Sequence, residues 1–254
     1  MSQRFQGKVA LVTGGASGIG LATAHEFARE AASVVVADIS QEAIDKAVAE
    51  IHELDGKAIG VVADVSKEDD IKAMVAKAEA EFGGLDIIVN NAGIGGPAGL
   101  VEDYPVDGWQ KVLDINLTGV FLGMKYALPA IQRRGGGAIV NVSSILGFAG
   151  FATSSAYVAA KHGVIGLTRA AALEYAPKSV RVNAVSPGFI ETPLIEDAGI
   201  KKGTEIHDFL VSQHPIGRLG TAEEIAHAIV WLASDDAKFV NGHALVADGG
   251  YLAR

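Results

Sequence analysis

The stretch Thr13-Gly14-Gly15-Ala16-Ser17-Gly18-Ile19-Gly20 decides how this chain is read. It follows a β-branched run at residues 9–12 and opens a helical pattern at 19–30. Glycines at 14, 18 and 20 let the main chain turn sharply and approach an anion with no Cβ in the way. The N-terminus of the following helix offers unpaired N–H groups and the positive end of a dipole, which suits a pyrophosphate. The spacing GxxxGxG is a variant of the dinucleotide fingerprint. A glycine-rich turn that only packs strand on helix is the other reading of the same residues.

Further runs of the same kind lie at 34–37, 59–62, 87–89, 139–142, 180–185 and 244–246. They are apolar and mostly continuous, which suits strands covered on both faces. Helical patterns at 41–54, 67–82, 109–134, 156–176 and 222–234 alternate with them. This alternation predicts an α/β fold: one Rossmann-like doubly wound domain over residues 1–254, with a seven-stranded parallel sheet and helices on both faces. Residues 191–215 break the pattern with Pro193, Gly199, Gly203 and Pro215, and are read as a substrate lid.

Composition narrows the partners. The chain has 254 residues, 49% of them hydrophobic, a net charge of −9, and no cysteine. That excludes a disordered chain, disulfides and thiolate metal or redox sites. Scattered basic residues on an acidic chain predict no nucleic-acid partner and no attraction to anionic lipid. No apolar run approaches the roughly 18 residues of a membrane span, and residues 1–8 lack the apolar stretch of a signal peptide. A cytoplasmic location is expected. The seven histidines form no HExxH-like pair, so no metal is expected.

Asp38 ends the second run, eighteen residues after Gly20, near the spacing of a ribose-binding acid. A carboxylate there accepts hydrogen bonds from ribose hydroxyls and repels a 2′-phosphate; neither Ser17 nor Ile39 supplies a cation to hold one. The alternative is a helix N-cap, because Asp38 and Ser40 both precede a helix. Asp64-Val65 follows the third run and Asn90-Asn91-Ala92-Gly93 the fourth. Both fall at strand C-termini, where open α/β sheets bind ligands, although ordinary turns use the same residues.

Tyr157 and Lys161 stand at i and i+4, on one face of a helix. A tyrosine serves as a base near neutrality only if its pKa falls by about three units. A lysine ammonium in a poorly solvated cleft supplies part of that, and a cationic oxidised nicotinamide adds more. A surface Tyr–Lys pair that only stabilises a helix is the bland alternative. Asn141-Val142-Ser143-Ser144 ends the fifth run thirteen residues before Tyr157, which lets a serine hydroxyl hold a substrate oxygen beside the phenol.

Together, TGxxxGxG, NNAG, a serine, Tyr-x-x-x-Lys and Pro187-Gly188 resemble the short-chain dehydrogenase/reductase family over residues 8–251, in its NAD-preferring branch. The resemblance implies roles. Thr13, Gly14, Ser17, Gly18, Ile19 and Gly20 match the turn under the pyrophosphate, and Asp38 with Ile39 the NAD-selecting position. Asp64 and Val65 match adenine contacts. Asn91, Ala92 and Gly93 match the segment beside the cofactor ribose, and Pro187, Ile190 and Thr192 the nicotinamide-side loop. Ser144, rather than Ser143, matches the catalytic serine by its distance from Tyr157. Lys161 matches the residue that binds the nicotinamide ribose and lowers the Tyr157 pKa, and Asn116 the asparagine that helps hold a water relay near that lysine. NAD is the implied cofactor.

The activity implied is hydride transfer between NAD(H) and an alcohol or ketone, with Tyr157 as general acid and base. Candidate pocket positions are Ile94, Leu146, Phe148, Phe151, Phe189, Ile195 and Leu210, all uncharged, which points to a neutral secondary alcohol or ketone. The helix of Tyr157 is small or apolar nearly all round, with Ala159, Ala160, Gly163, Ile165, Gly166, Leu167, Ala170, Ala171 and Leu173. Such a helix is covered on more than one side, and the family resemblance implies a homotetramer. Two alternatives stand beside the dehydrogenase: a 3-oxoacyl-thioester reductase of lipid synthesis, disfavoured by Asp38 and the acidic chain, and a redox-silent nucleotide-binding regulator, disfavoured by the intact Ser144, Tyr157 and Lys161.

Overall fold

In the first strand Val9 and Leu11 belong to one apolar layer, and Ala10 and Val12 to the other. This two-sided burial is what a continuous β-branched run encodes. The computed structural model describes residues 3–253. The strands are β1 (Val9–Thr13), β2 (Ser33–Asp38), β3 (Lys57–Val62), β4 (Ile87–Asn90), β5 (Gly137–Val142), β6 (Val180–Pro187) and β7 (Ala244–Ala247). They form a seven-stranded parallel sheet in the order β3-β2-β1-β4-β5-β6-β7. The order reverses between β1 and β4, which opens a crevice at the C-terminal strand ends.

The helices are α1 (Gly18–Arg29), α2 (Gln41–Glu53), α3 (Glu68–Phe82), α4 (Val106–Leu113), α5 (Gly119–Arg133), α6 (Ser155–Tyr175), α7 (Pro193–Asp197), α8 (Glu205–Ser212) and α9 (Ala222–Ala233). Phe27 of α1, Ile44 and Ile51 of α2 and Ile229 of α9 pack on one face of the sheet. Met74 of α3, Ile131 of α5 and Val164 of α6 pack on the other. Local signals set the helix ends. Thr221 and Glu224 form a capping box at α9, and Gly83 closes α3 in the left-handed region at φ 78°. No helix among the described residues is long and apolar enough to cross a membrane.

One sequence expectation changes. The helix expected over 109–134 is two helices, α4 and α5, joined by one wide turn, Asp114–Thr118. There the N–H of Gly119 reaches back five residues to the Asp114 carbonyl. The extra residue rotates the following face. It buries Asn116 completely and turns Gly119 toward Val65, where an added Cβ would sit 2.9 Å from a Val65 methyl. The expected lid at 191–215 is itself structured, carrying α7 and α8, with α8 capped by the Thr204 hydroxyl. Of the domain expected over 1–254, residues 1, 2 and 254 lie outside the described residues.

Candidate active site

The glycine turn is locked to the segment after β4. Asn91 Nδ2 donates to the carbonyls of Thr13 (2.9 Å) and Gly14 (3.1 Å). Thr13 Oγ1 accepts from the N–H groups of Asn91 (3.0 Å) and Ala92 (3.1 Å). The fit leaves no room for a side chain at two positions. A Cβ on Gly14, at φ +60°, would lie 2.9 Å from the Ala92 Cα; one on Gly20 would lie 2.0 Å from the Gly14 carbonyl oxygen. Ser17 stands at the α1 N-cap with an extended backbone and no side-chain capping bond, exposed at the groove. Gly18 and Ile19 follow on the groove wall.

Asp38 is not a helix cap. Ser40 caps α2, its Oγ accepting from the Ala43 N–H. The Asp38 carboxylate instead accepts from the N–H of Ala16 across the turn (3.1 Å) and from its neighbour Ile39 (2.7 Å). Two main-chain donors therefore fix an acceptor-only group on the groove wall. Ile39, 73% exposed, and Asp64, Val65, Ala92 and Gly93 line the same groove. Asp64 Oδ1 accepts from the Ser66 hydroxyl (2.6 Å) and N–H (3.0 Å), and the Ser66 hydroxyl holds its carboxyl below the usual range.

At the other end, β5 and α6 bring Ser144, Tyr157 and Lys161 together around one cavity of ≈ 240 Å³. Ser144 lies two residues past β5, at the cap of a short turn, and its Oγ accepts from the Leu146 N–H (3.1 Å). Ser143 instead ties its hydroxyl to the Lys161 carbonyl (3.0 Å). Lys161 is only 4% exposed, so the pair is no surface decoration. Its Nζ donates to the Val142 carbonyl (2.8 Å) and lies 5.3 Å from the centroid of the Tyr157 ring.

The electrostatics correct one expectation. Burial pushes the Tyr157 phenol up to about 12, opposed only in part by a hydrogen bond with Ser144. The same burial pushes Lys161 down to about 8. The chain alone thus keeps Tyr157 protonated: withdrawal from water outweighs the Ser144 hydrogen bond, and Lys161 adds no lowering to offset it.

Asn116 is fully buried in the wide turn. Its Nδ2 donates to the Ile94 carbonyl (2.8 Å), and its Oδ1 accepts from the Ile94 N–H (2.9 Å). Pro187, Ile190 and Thr192 line the cavity, and Thr192 also borders the groove.

Of the apolar pocket candidates, Leu146, Phe151, Phe189 and Ile195 line the cavity. Three do not. Ile94 lines the dinucleotide groove instead. Leu210 is fully buried in α8, and Phe148 is 41% exposed outside the cavity. Their hydrophobicity was legible, but the direction each takes depends on tertiary packing. Sequence reasoning also missed Gly95, Ser154, Ala198 and Ile200 in the cavity and Ile115 in the groove. Ser154 was findable: it precedes Tyr157 by three residues, one helical turn. Among the described residues lining the cavity, Lys161 is the one with a formal charge.

Fold and site together define an oxidoreductase built on a dinucleotide groove. The family model described as Enoyl-(Acyl carrier protein) reductase matches residues 14–252. Cyclohexanol dehydrogenase of Acinetobacter sp. (strain SE19) is 49% identical over 254 residues, covering 100% of this chain and 98% of that protein. Cis-4-hydroxycyclohexanecarboxylate dehydrogenase of Sinomonas cyclohexanicum is 48% identical over 253 residues, covering 100% of both. The solved structure of levodione reductase matches with a TM-score of 0.94 at 39% identity, over 98% of this chain and 99% of that one. The chain belongs to the short-chain dehydrogenase/reductase family. Dehydrogenases of this family use nicotinamide cofactors, and the glycine turn and the acceptor at Asp38 fit such a dinucleotide.

Proposed function

We propose that this chain is an NAD-dependent dehydrogenase that interconverts a compact, neutral, cyclic secondary alcohol and its ketone. One observation carries the reading. The groove holding Asp38 and the cavity holding Tyr157 share Ile19, Asn91, Gly93, Thr192 and Leu194, so carboxylate and phenol lie along one continuous trench. The apolar cavity supports a neutral substrate, and the names of the two dehydrogenase relatives support a ring-bearing one.

The residues divide the work along the trench. The α1 N-terminus and Gly14, Gly18 and Gly20 receive the pyrophosphate. Asp38 accepts the ribose hydroxyls, and Asp64 and Val65 border the adenine. A bound nicotinamide would supply the hydride acceptor for oxidation and the hydride donor for reduction, and, in its oxidised form, positive charge. Ser144 donates a hydrogen bond to the substrate oxygen and fixes its approach. Tyr157 Oη takes the alcohol proton in oxidation and returns one to the ketone oxygen in reduction. Lys161 holds the ribose beside the phenol. The Asn116 side chain is committed to Ile94, so steadying of water beside Lys161 falls to the main chain of its turn. The segment over α7 and α8 acts as a lid above the substrate.

The thioester-reductase alternative has Asp38 against it, since a carboxylate held by two N–H groups repels the 2′-phosphate of NADP. The regulator alternative has the gathered Ser144, Tyr157 and Lys161 against it. The same reading makes the chain a cytoplasmic homotetramer. On α6, Ala159, Gly166, Ala170 and Leu173 are exposed beside His162 and Arg169, and Leu173 is 81% exposed, a partly apolar face suited to a second subunit.

A spectrophotometric screen tests the function: NAD and NADP reduction over a panel of cyclic, linear and carboxylate-bearing secondary alcohols. Neutral cyclic alcohols with NAD should be turned over fastest. Preference for NADP, or for thioester substrates, would overturn the proposal.

A further inference from the structure

The cavity wall at Phe189 is held from behind by a residue that does not line the cavity. His214, 3% exposed, follows α8 and ends the lid. Its Nδ1 lies 2.7 Å from the Leu210 carbonyl, which only a ring N–H can satisfy. Its Nε2 then carries the lone pair and accepts from the Phe189 N–H at 3.3 Å. One neutral tautomer satisfies both partners. The ring meets Phe189 edge-on, with centroids 6.0 Å apart at 81°, and Tyr251 at 5.3 Å. Phe189 in turn contacts Phe151, 5.8 Å away, and both face the cavity. Packing is close here: a Cβ on Gly188 would lie 2.9 Å from His214 Nε2.

We propose that His214 is a positioning residue for the substrate: it holds the Phe189 main chain and ring as the wall against which the alcohol packs. The inference rests on the reading of the Tyr157 cavity as the alcohol site. His214 touches neither the groove nor the reacting groups, so it sets the KM for alcohol and leaves coenzyme affinity and the chemical step alone. An N–H deprived of its buried acceptor costs more than an ordinary hydrogen bond is worth, which makes the wall sensitive to this one ring nitrogen.

The test compares three variants in the full-length protein. His214→Phe keeps a ring but loses both nitrogens. His214→Gln places an amide oxygen near the Nε2 position, where it can accept from Phe189, and His214→Asn places an amide nitrogen near Nδ1, where it can only donate to Leu210. For the best alcohol of the panel, KM should rise about three- to tenfold in His214→Phe and His214→Asn and recover in His214→Gln. In all three, kcat and the NADH Kd should stay within about twofold of the parent, less than one hydrogen bond is worth. Hydrogen–deuterium exchange by mass spectrometry should show faster exchange at the Phe189 amide in the same two variants. If His214→Phe does not fold, the contrast of Gln with Asn carries the test. Equal behaviour of Gln and Asn, or a parallel rise in KM and NADH Kd, would overturn the inference. The exchange readout needs no substrate, so a protein that oxidises none of the alcohols counts against the proposed function and not against the hold of His214 on Phe189.

Discussion

Lys161 Nζ sits 5.3 Å from the centroid of the Tyr157 ring and is anchored to the Val142 carbonyl at 2.8 Å. The anchor fixes the lysine one helical turn from the phenol, in a place both must reach by leaving water. Burial acts on them in opposite directions, with Lys161 down to about 8 and Tyr157 up to about 12. Neither shift favours the charged form, so the protein alone rests with a neutral phenol and a readily deprotonated lysine.

A pH-dependent stability follows from these shifts. From about pH 8 to 10.5 the unfolded chain binds the Lys161 proton that the folded chain has released, so this group makes stability rise with pH. From about pH 10 to 12 the folded chain keeps the Tyr157 proton that the unfolded chain has lost, so stability falls. The lysine contribution is of order 3 kcal/mol across its window. Melting curves of the coenzyme-free protein should climb between pH 8 and 10 relative to Lys161→Met. Identical slopes for the two proteins would contradict the assignment.

Coenzyme choice should turn on Asp38. Replacing Asp38→Ser with Ile39→Arg removes the acceptor and adds a cation at the groove rim. Affinity for NADH should fall roughly 10- to 100-fold, as for loss of charge-assisted hydrogen bonds, while NADPH affinity rises. Unchanged discrimination in fluorescence titrations of both coenzymes would remove Asp38 from the account.

The glycine turn admits a direct steric check. Gly20→Ala puts a Cβ into the Gly14 carbonyl, 2.0 Å away, so strand, turn and helix must separate. The expected cost is about 1–3 kcal/mol of stability by overpacking, with NADH binding weakened at least tenfold. Gly150→Ala is the control, since its Cβ would meet nothing within 4 Å. A Gly20→Ala protein that binds NADH normally would show that the turn does not shape the coenzyme site.

Much of this was readable from local spacing. The glycine turn, Asp38, Ser144, Tyr157 and Lys161 lie where short-range pattern placed them, because strand ends and one helical turn fix them. What escaped reading depends on tertiary contacts. The break at Asn116 arises from packing against Ile94 and Val65, which no helical periodicity records. Leu210 and Phe148 have the composition of a pocket but not its direction. The rise in the Tyr157 pKa comes from burial by elements distant in sequence. His214 reaches Phe189 across twenty-five positions, too far for any motif to couple them.

The outward face of α6 should be an interface. Ala170→Arg places a charge on that face without touching the cavity. The parent should sediment as a tetramer at micromolar concentration and the variant as a smaller species. A monomeric parent would refute the assembly and leave the chemistry untouched.

The central claim is that Tyr157 moves the substrate proton while the glycine turn, Asp38 and Lys161 carry most of the coenzyme grip. Tyr157→Phe deletes one oxygen and tests this most directly, by measuring turnover and NADH affinity on the same preparation. Turnover should drop by at least about a thousandfold, within the range of a lost general acid–base, while NADH Kd stays within about threefold. A variant that keeps parental turnover at unchanged NADH affinity would contradict the assignment of the proton to this phenol.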